Sequence, residues 1–343
     1  MGVSKTLSAI IFAVAAVGLM SVGAPARAAD DAHKLSVRLD WIPSGYQAPI
    51  FLAADKGWFK EAGLDVTIAD GNGSATTVQL VGAGQFDIGH AALSNMAFAR
   101  SKGMPVISIA GIFRKGDTAL LVPQDSPIRT PKDLKGKTVV STPGSLETPF
   151  LDPFLAAGGL TRSDVKLIYV DASAKISTYL QGKVDGVFSS TAYTLPLVAT
   201  RRPARAILFA DFGLNLPGFG LFTTESLLKS KGDAVRKFAS IVAGSWAYVL
   251  KGHEKEAVAA ELHQREQARL NPELLLGQLK DSLPFLYTDA TRKEPIGIQS
   301  EADWKAAIAV MEQAKVVAPG TKAQDYFPNR YLDPKLMTTI ADR

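Results

Sequence analysis

The sequence predicts an α/β protein of two lobes with a helical C-terminal tail. Three observations carry the prediction. Short apolar runs alternate with helix-length amphipathic stretches from residue 35 to residue 223. A glycine-stopped helix followed by an aspartate-led strand occurs once in each half of that stretch. Beyond Thr224 no strand-like run is left.

The apolar runs place strands at 35–39, 65–69, 86–90, 106–113, 119–123, 138–141, 166–170, 185–189, 206–210 and 218–223, mostly in parallel sheets, with helices between them. Leu80 to Ile88 and Leu180 to Gly186 echo one another: a helix end, a glycine suited to the left-handed conformation (Gly84, Gly182), then a strand opening at Asp87 or Asp185. Lys132-Asp133-Leu134-Lys135-Gly136-Lys137 reads as a short helix and a stop before the first strand of the second lobe. Proline and glycine near 123–127 and 211–218 suit two crossings between lobes. The expected division is 29–122 plus 214–343 for lobe 1 and 123–213 for lobe 2.

In the tail, Val235, Phe238, Val242, Trp246 and Val249 share one face of a helix over 234–250. Asn271-Pro272 opens a second helix, because proline loses little in a first turn. Ser300 with Asp303 opens a third through a side-chain cap.

Residues 1–28 read as a signal peptide: Lys5, an apolar run over 7–22, then Ala26-Arg27-Ala28 before a mature start at Ala29. A periplasmic protein is expected. The chain of 343 residues has 38 Lys plus Arg against 33 Asp plus Glu, a surplus too small and too dispersed to indicate nucleic acid. It has no cysteine, which excludes disulfides, thiolate metal sites and cysteine nucleophiles. His253-Glu254 lacks the second histidine of a zincin helix, and no nucleophile elbow or phosphate loop occurs. No catalytic residue, metal or cofactor is predicted.

The candidate binding residues sit where strands end and helices begin, the place where open α/β sheets hold ligands. Trp41, Tyr46 and Gln47 follow the first strand. Asn72, Gly73 and Ser74 form a strand-to-helix loop whose free N–H groups attract an acceptor. Thr142, Gly144, Ser145 and Leu146 repeat that arrangement in the second lobe. His90, Ser94, Ser189 and Tyr193 end further strands, and Arg114 offers a partner for a carboxylate or sulfonate. The bland readings are a capping serine, a core tryptophan and an internally paired arginine. Trp58, Trp246 and Trp304 are expected in the core.

Leu39-Asp40-Trp41-x-Pro43, Ala48-Pro49-x-Phe51-x-Ala53, Lys56-Gly57-Trp58-Phe59-Lys60-Glu61-Ala62-Gly63-Leu64-Asp65-Val66, the Gly84-x-Phe86-Asp87 step and Asp133-Leu134-Lys135-Gly136-Lys137 together resemble the nitrate/sulfonate/taurine-type substrate-binding proteins of ABC importers. The Leu-Asp-Trp opening looks most like the branch that binds thiamine pyrimidine precursors. That branch often continues Trp-x-Pro-Asn and then histidine, where this chain has Ser44 and Gln47.

The resemblance implies a type II periplasmic-binding fold with a ligand cleft. It also implies a monomer that delivers a small solute to a membrane permease and its ATPase. The solute class stays open among a thiamine pyrimidine precursor, a sulfonate or taurine-like compound and an aromatic acid. Two alternatives share the fold. One is a pyrimidine-synthase-like enzyme, whose cysteine-rich motif this chain lacks, and the other is a periplasmic sensor subunit.

Overall fold

The structure is a computed structural model and describes residues 33–343. The expected leader at 1–28 lies outside the described residues. Ten strands form: β1 (Lys34–Arg38), β2 (Asp65–Ala69), β3 (Ile88–Ala92), β4 (Val106–Gly111), β5 (Thr118–Pro123), β6 (Thr138–Ser141), β7 (Lys166–Tyr169), β8 (Gly186–Ser190), β9 (Ala204–Leu208) and β10 (Phe219–Thr224). They make two five-stranded sheets, β2-β1-β3-β10-β4 and β7-β6-β8-β5-β9. Each expected run became a strand, shifted by at most three residues at either end.

The expectation of mostly parallel sheets needs correction. β1 runs parallel to β2 and β3, and β6 runs parallel to β7 and β8. β10 is antiparallel to β3 and β4, and β5 is antiparallel to β8 and β9. The reason is the crossings. A parallel strand needs a long crossover connection, whereas β5 and β10 come directly from the other sheet and enter from the cleft edge. β5 was expected to finish the first lobe, but it is an inner strand of the second sheet. The chain therefore changes sheets at residues 112–117, upstream of the expected boundary at 122/123, and returns over 209–218.

The internal echo is a structural repeat. Gly84 and Gly182 adopt φ of 74° and 77°. Asp87 then accepts the Ser36 backbone N–H at 2.8 Å, and Asp185 accepts that of Thr138 at 2.7 Å. In each sheet the aspartate at the start of one strand (β3 or β8) ties it to its parallel neighbour (β1 or β6).

The helices beside the sheets are α1 (Ala48–Asp55), α2 (Trp58–Glu61), α3 (Ser74–Gly82), α4 (Leu93–Ser101), α5 (Leu151–Ala157), α6 (Ala172–Leu180) and α7 (Thr191–Val198). The tail supplies α8 (Glu225–Val249), α9 (Glu254–Gln264), α10 (Pro272–Ser282), α11 (Glu301–Gln313) and α12 (Pro334–Ala341). Its caps follow the sequence signals: Asn271 accepts the Leu274 N–H at 3.0 Å, and Ser300 accepts that of Asp303 at 3.3 Å.

The apolar face of α8, including Val235, Phe238, Val242, Trp246 and Val249, joins the core of the first sheet. Trp304 of α11 belongs to a second core that also holds Phe154, Phe188 and Phe209. The tail does more than cover a finished sheet. α10 packs on α7 of the second lobe, and Gln278 accepts the Gly45 N–H at 2.9 Å while donating to the Tyr193 carbonyl at 3.0 Å.

Candidate functional site

The strand ends of the two sheets face each other around a buried cavity of about 10 Å³. Asp40, Trp41, Tyr46, Ser74 and Phe219 wall it from the first sheet, and Leu146, Lys175, Ser189, Ser190 and Tyr193 from the second. Water-sized space on that scale holds one water at most. A planar ligand enters only when the lobes part.

The Trp41 ring is the surface shared by the lobes. Tyr193 meets it edge-on at 6.0 Å, and the Lys175 ammonium lies 5.2 Å from its centre. Lys175 is fully buried, and burial lowers its pKa against the opposing pull of Glu147. Glu147 accepts from Lys175 at 3.1 Å and from the Ser141 hydroxyl at 2.6 Å, and also from Ser145. Among the described residues, the one cation on the cavity wall is therefore matched by a carboxylate of its own lobe.

Opposite it lies Asp40, which sequence reasoning quoted inside a motif and did not use. It accepts the Tyr46 hydroxyl at 2.9 Å and the Gln47 amide at 3.0 Å, and pairs with His90 Nδ1 at 3.0 Å. Burial, reinforced by Asp40, pushes the Tyr46 hydroxyl well above its usual value. His90 packs against Phe219 and Tyr46 in a three-ring cluster, and its Nε2 has no partner.

Asp117 sits at the base of β5, accepting from the Ser190 hydroxyl and from the Ala192 N–H at 3.3 Å, with Oδ1 unpartnered. Burial pushes it up to about 6, and Asp40 adds to the rise. Burial likewise raises Tyr193 to about 12, with Trp41 acting against the rise. Asp117, Lys175 and Glu147 had no distinguishing signal in the sequence. Each acquires meaning only from a neighbour on another element.

Of the expected residues, Trp41, Tyr46, Ser74, Leu146, Ser189 and Tyr193 line the cavity. Gln47 and His90 stand one layer behind, through Asp40. Ser145 acts through Glu147 and Lys175, donating to the first and accepting from the second at 3.3 Å. Thr142 is buried with a free hydroxyl, and Ser94 turns to Asn95 at 3.5 Å. Asn72 is exposed. Arg114 lies in a different cavity, of about 50 Å³, behind the Phe113–Phe219 contact.

Gly73 and Gly144 meet each other across the two sheets. The Ala75 and Thr76 N–H groups, at the start of α3, donate to the Gly144 carbonyl at 3.0 and 3.2 Å. A side chain on Gly73 would stand 2.2 Å from that oxygen, so the approach requires glycine. The two loops read from sequence as ligand cradles cap one another across the cleft.

Among the described residues no cluster of His, Asp and Glu is arranged to hold a metal, and no helix is long and apolar enough to cross a membrane.

The chain is 30% identical over 233 residues to a 4-amino-5-hydroxymethyl-2-methylpyrimidine phosphate synthase of Saccharomyces cerevisiae, covering 63% of this chain and 67% of that protein. It is 24% identical to the formylaminopyrimidine-binding protein of Halalkalibacterium halodurans over 85% of this chain and 89% of that one. In fold it is similar to the alkanesulfonate-binding protein of Xanthomonas axonopodis pv. citri, with a TM-score of 0.64 at 17% identity, covering 88% of this chain and 98% of that one. The fold is that of periplasmic binding proteins. The family pattern described as NMT1/THI5 like matches residues 44–256, and the chain belongs to that family.

Proposed function

We propose that this chain is the periplasmic substrate-binding protein of an ABC importer, and that it captures a thiamine-pyrimidine precursor by closing two lobes on it. The carrying observation is the polarity of the cavity. Asp40 lines it from the first sheet, Asp117 stands behind the lining Ser190 on the second, and its lysine is already neutralised by Glu147. A sulfonate or nitrate would have to shed water beside the Asp40 carboxylate, an unfavourable exchange. An aminopyrimidine instead brings N–H donors to Asp40 and a flat face to Trp41. Its ring acceptors suit the Trp41 N–H, which makes no hydrogen bond of its own. The family relatives that act on or bind pyrimidines support the same class.

A second reading, chemistry on the same ligand, draws on the synthase relatives and on the Asp40–His90 pair with its free Nε2. Mass spectrometry of the pyrimidine after incubation with the chain separates the two: an unaltered ligand favours capture.

The test of the main reading is calorimetry with 4-amino-5-hydroxymethyl-2-methylpyrimidine, its formylamino analogue, taurine, methanesulfonate and nitrate. Saturable heat is expected from the pyrimidines alone. Binding of the anions with silence from the pyrimidines would overturn it. Export is tested by fractionating cells that express the full chain and sequencing the recovered N-terminus, expected at Ala29.

A further inference from the structure

A second cavity lies where the two crossings meet the tail: Phe113 and Arg114 come from the first crossing, Leu216 and Pro217 from the return, and Gln299 and Ser300 from the segment that opens α11. Arg114 is 7% exposed. Its Nη1 reaches the Thr291 carbonyl at 3.4 Å and its face covers the Tyr287 ring at 4.8 Å, while Nε and Nη2 have no partner. Burial lowers its pKa to about 10, which leaves it a cation at neutral pH.

Gln299 is oriented by its own contacts. Its Oε1 accepts the Ser108 hydroxyl at 2.7 Å and the Trp304 indole N–H at 3.1 Å, so the amide cannot flip, and Nε2 is left as a buried donor without an acceptor. Ser300 is both a wall of the cavity and the cap of α11, so the positive end of that helix adds to the field. Two acids, Asp303 on the wall and Glu294, act on the Arg114 charge from a distance, but Asp303 accepts the Thr288 hydroxyl at 2.6 Å and neither acid hydrogen-bonds the free guanidinium nitrogens.

Unanswered donors in a closed space are costly unless an acceptor joins them. We propose that this cavity is a binding site for a small monovalent anion of halide size, held by Arg114 Nε and Nη2 and by Gln299 Nε2. The volume of about 50 Å³ accommodates a halide and excludes large organic anions. A bound anion ties both crossings to α11 at the place where the lobes hinge. The site is independent of the cleft, because the Phe113–Phe219 contact divides the cavities.

The experiment uses the described chain in sodium gluconate, titrated with sodium chloride at constant ionic strength, with thermal unfolding as the readout. A ligand of the native state raises Tm saturably, here by on the order of a few degrees. Arg114→Gln should remove the response. A flat wild-type curve, or an equal rise in wild type and variant, would overturn the site. Should the variant fail to fold, crystals of the wild-type chain grown in bromide decide the matter. An anomalous peak between Arg114 and Gln299 supports the proposal, and ordinary water density there defeats it.

Discussion

Two cavities lie back to back on either side of the Phe113–Phe219 contact, each with one acid and one cation on its wall, and they differ in how the cation is held. Between the lobes the lysine is ion-paired with Glu147, whereas at the crossings the arginine keeps two guanidinium nitrogens without a hydrogen-bond partner. The same fold carries an alkanesulfonate receptor elsewhere. The backbone therefore sets where a ligand sits, and the polarity of a few buried side chains sets what it is. Arg114, read from sequence as the anion partner in the cleft, lies on the wrong side of that wall to serve there.

The comparison breaks most visibly at Lys175. Lys175→Met leaves Glu147 buried without its cation, and urea unfolding should show a loss of about 3–5 kcal/mol. Adding Glu147→Gln should recover at least half of the loss. No recovery would mean that Lys175 matters for packing rather than for balancing charge.

Next comes Trp41→Ala, for which calorimetry should show pyrimidine affinity falling about a hundredfold while circular dichroism and the chloride response at Arg114 stay unchanged. A parallel loss of the chloride response would show that the two cavities are not separate.

The pH profile sharpens the contrast. Asp117 is raised to about 6, so folding favours its protonated form. The stability it contributes is full below its ordinary carboxylate range and is lost as pH rises through about 6. Pyrimidine affinity should run the other way and weaken about tenfold from pH ~7.5 to ~5, as the carboxylate that orients the cavity-lining Ser190 is protonated. Asp117→Asn should flatten both trends, and the chloride response should not change over this range. The smallest effect is expected from Gln278→Ala, which lines neither cavity. Loss of its two buried hydrogen bonds should cost about 1–2 kcal/mol in unfolding, with both binding responses retained.

The strands were legible because each is a short apolar run closed by polar residues or glycine, and the tail caps because Asn271 and Ser300 act within three residues of themselves. The Asp87 and Asp185 echo was legible for the same reason. Sheet membership was not. A run such as 119–123 states that both faces are buried without naming its neighbours, so β5 was placed in the wrong lobe. The site divides along the same line. Trp41, Tyr46 and Tyr193 advertise themselves as aromatic residues at strand ends. Lys175, Glu147 and Asp117 look like ordinary surface charges until helix, loop and crossing bring them together.

The Gly73–Gly144 contact sets how far the two loops can close on one another. A methyl group on Gly73 would meet the Gly144 carbonyl, and one on Gly144 would meet the Thr76 hydroxyl, so a side chain at either position acts as a wedge between the two loops. An alanine at position 73 would hold the jaws ajar while every ligand-facing side chain kept its identity. Such a variant of the proposed binding protein would keep its ligand-facing groups but could not present the shut silhouette.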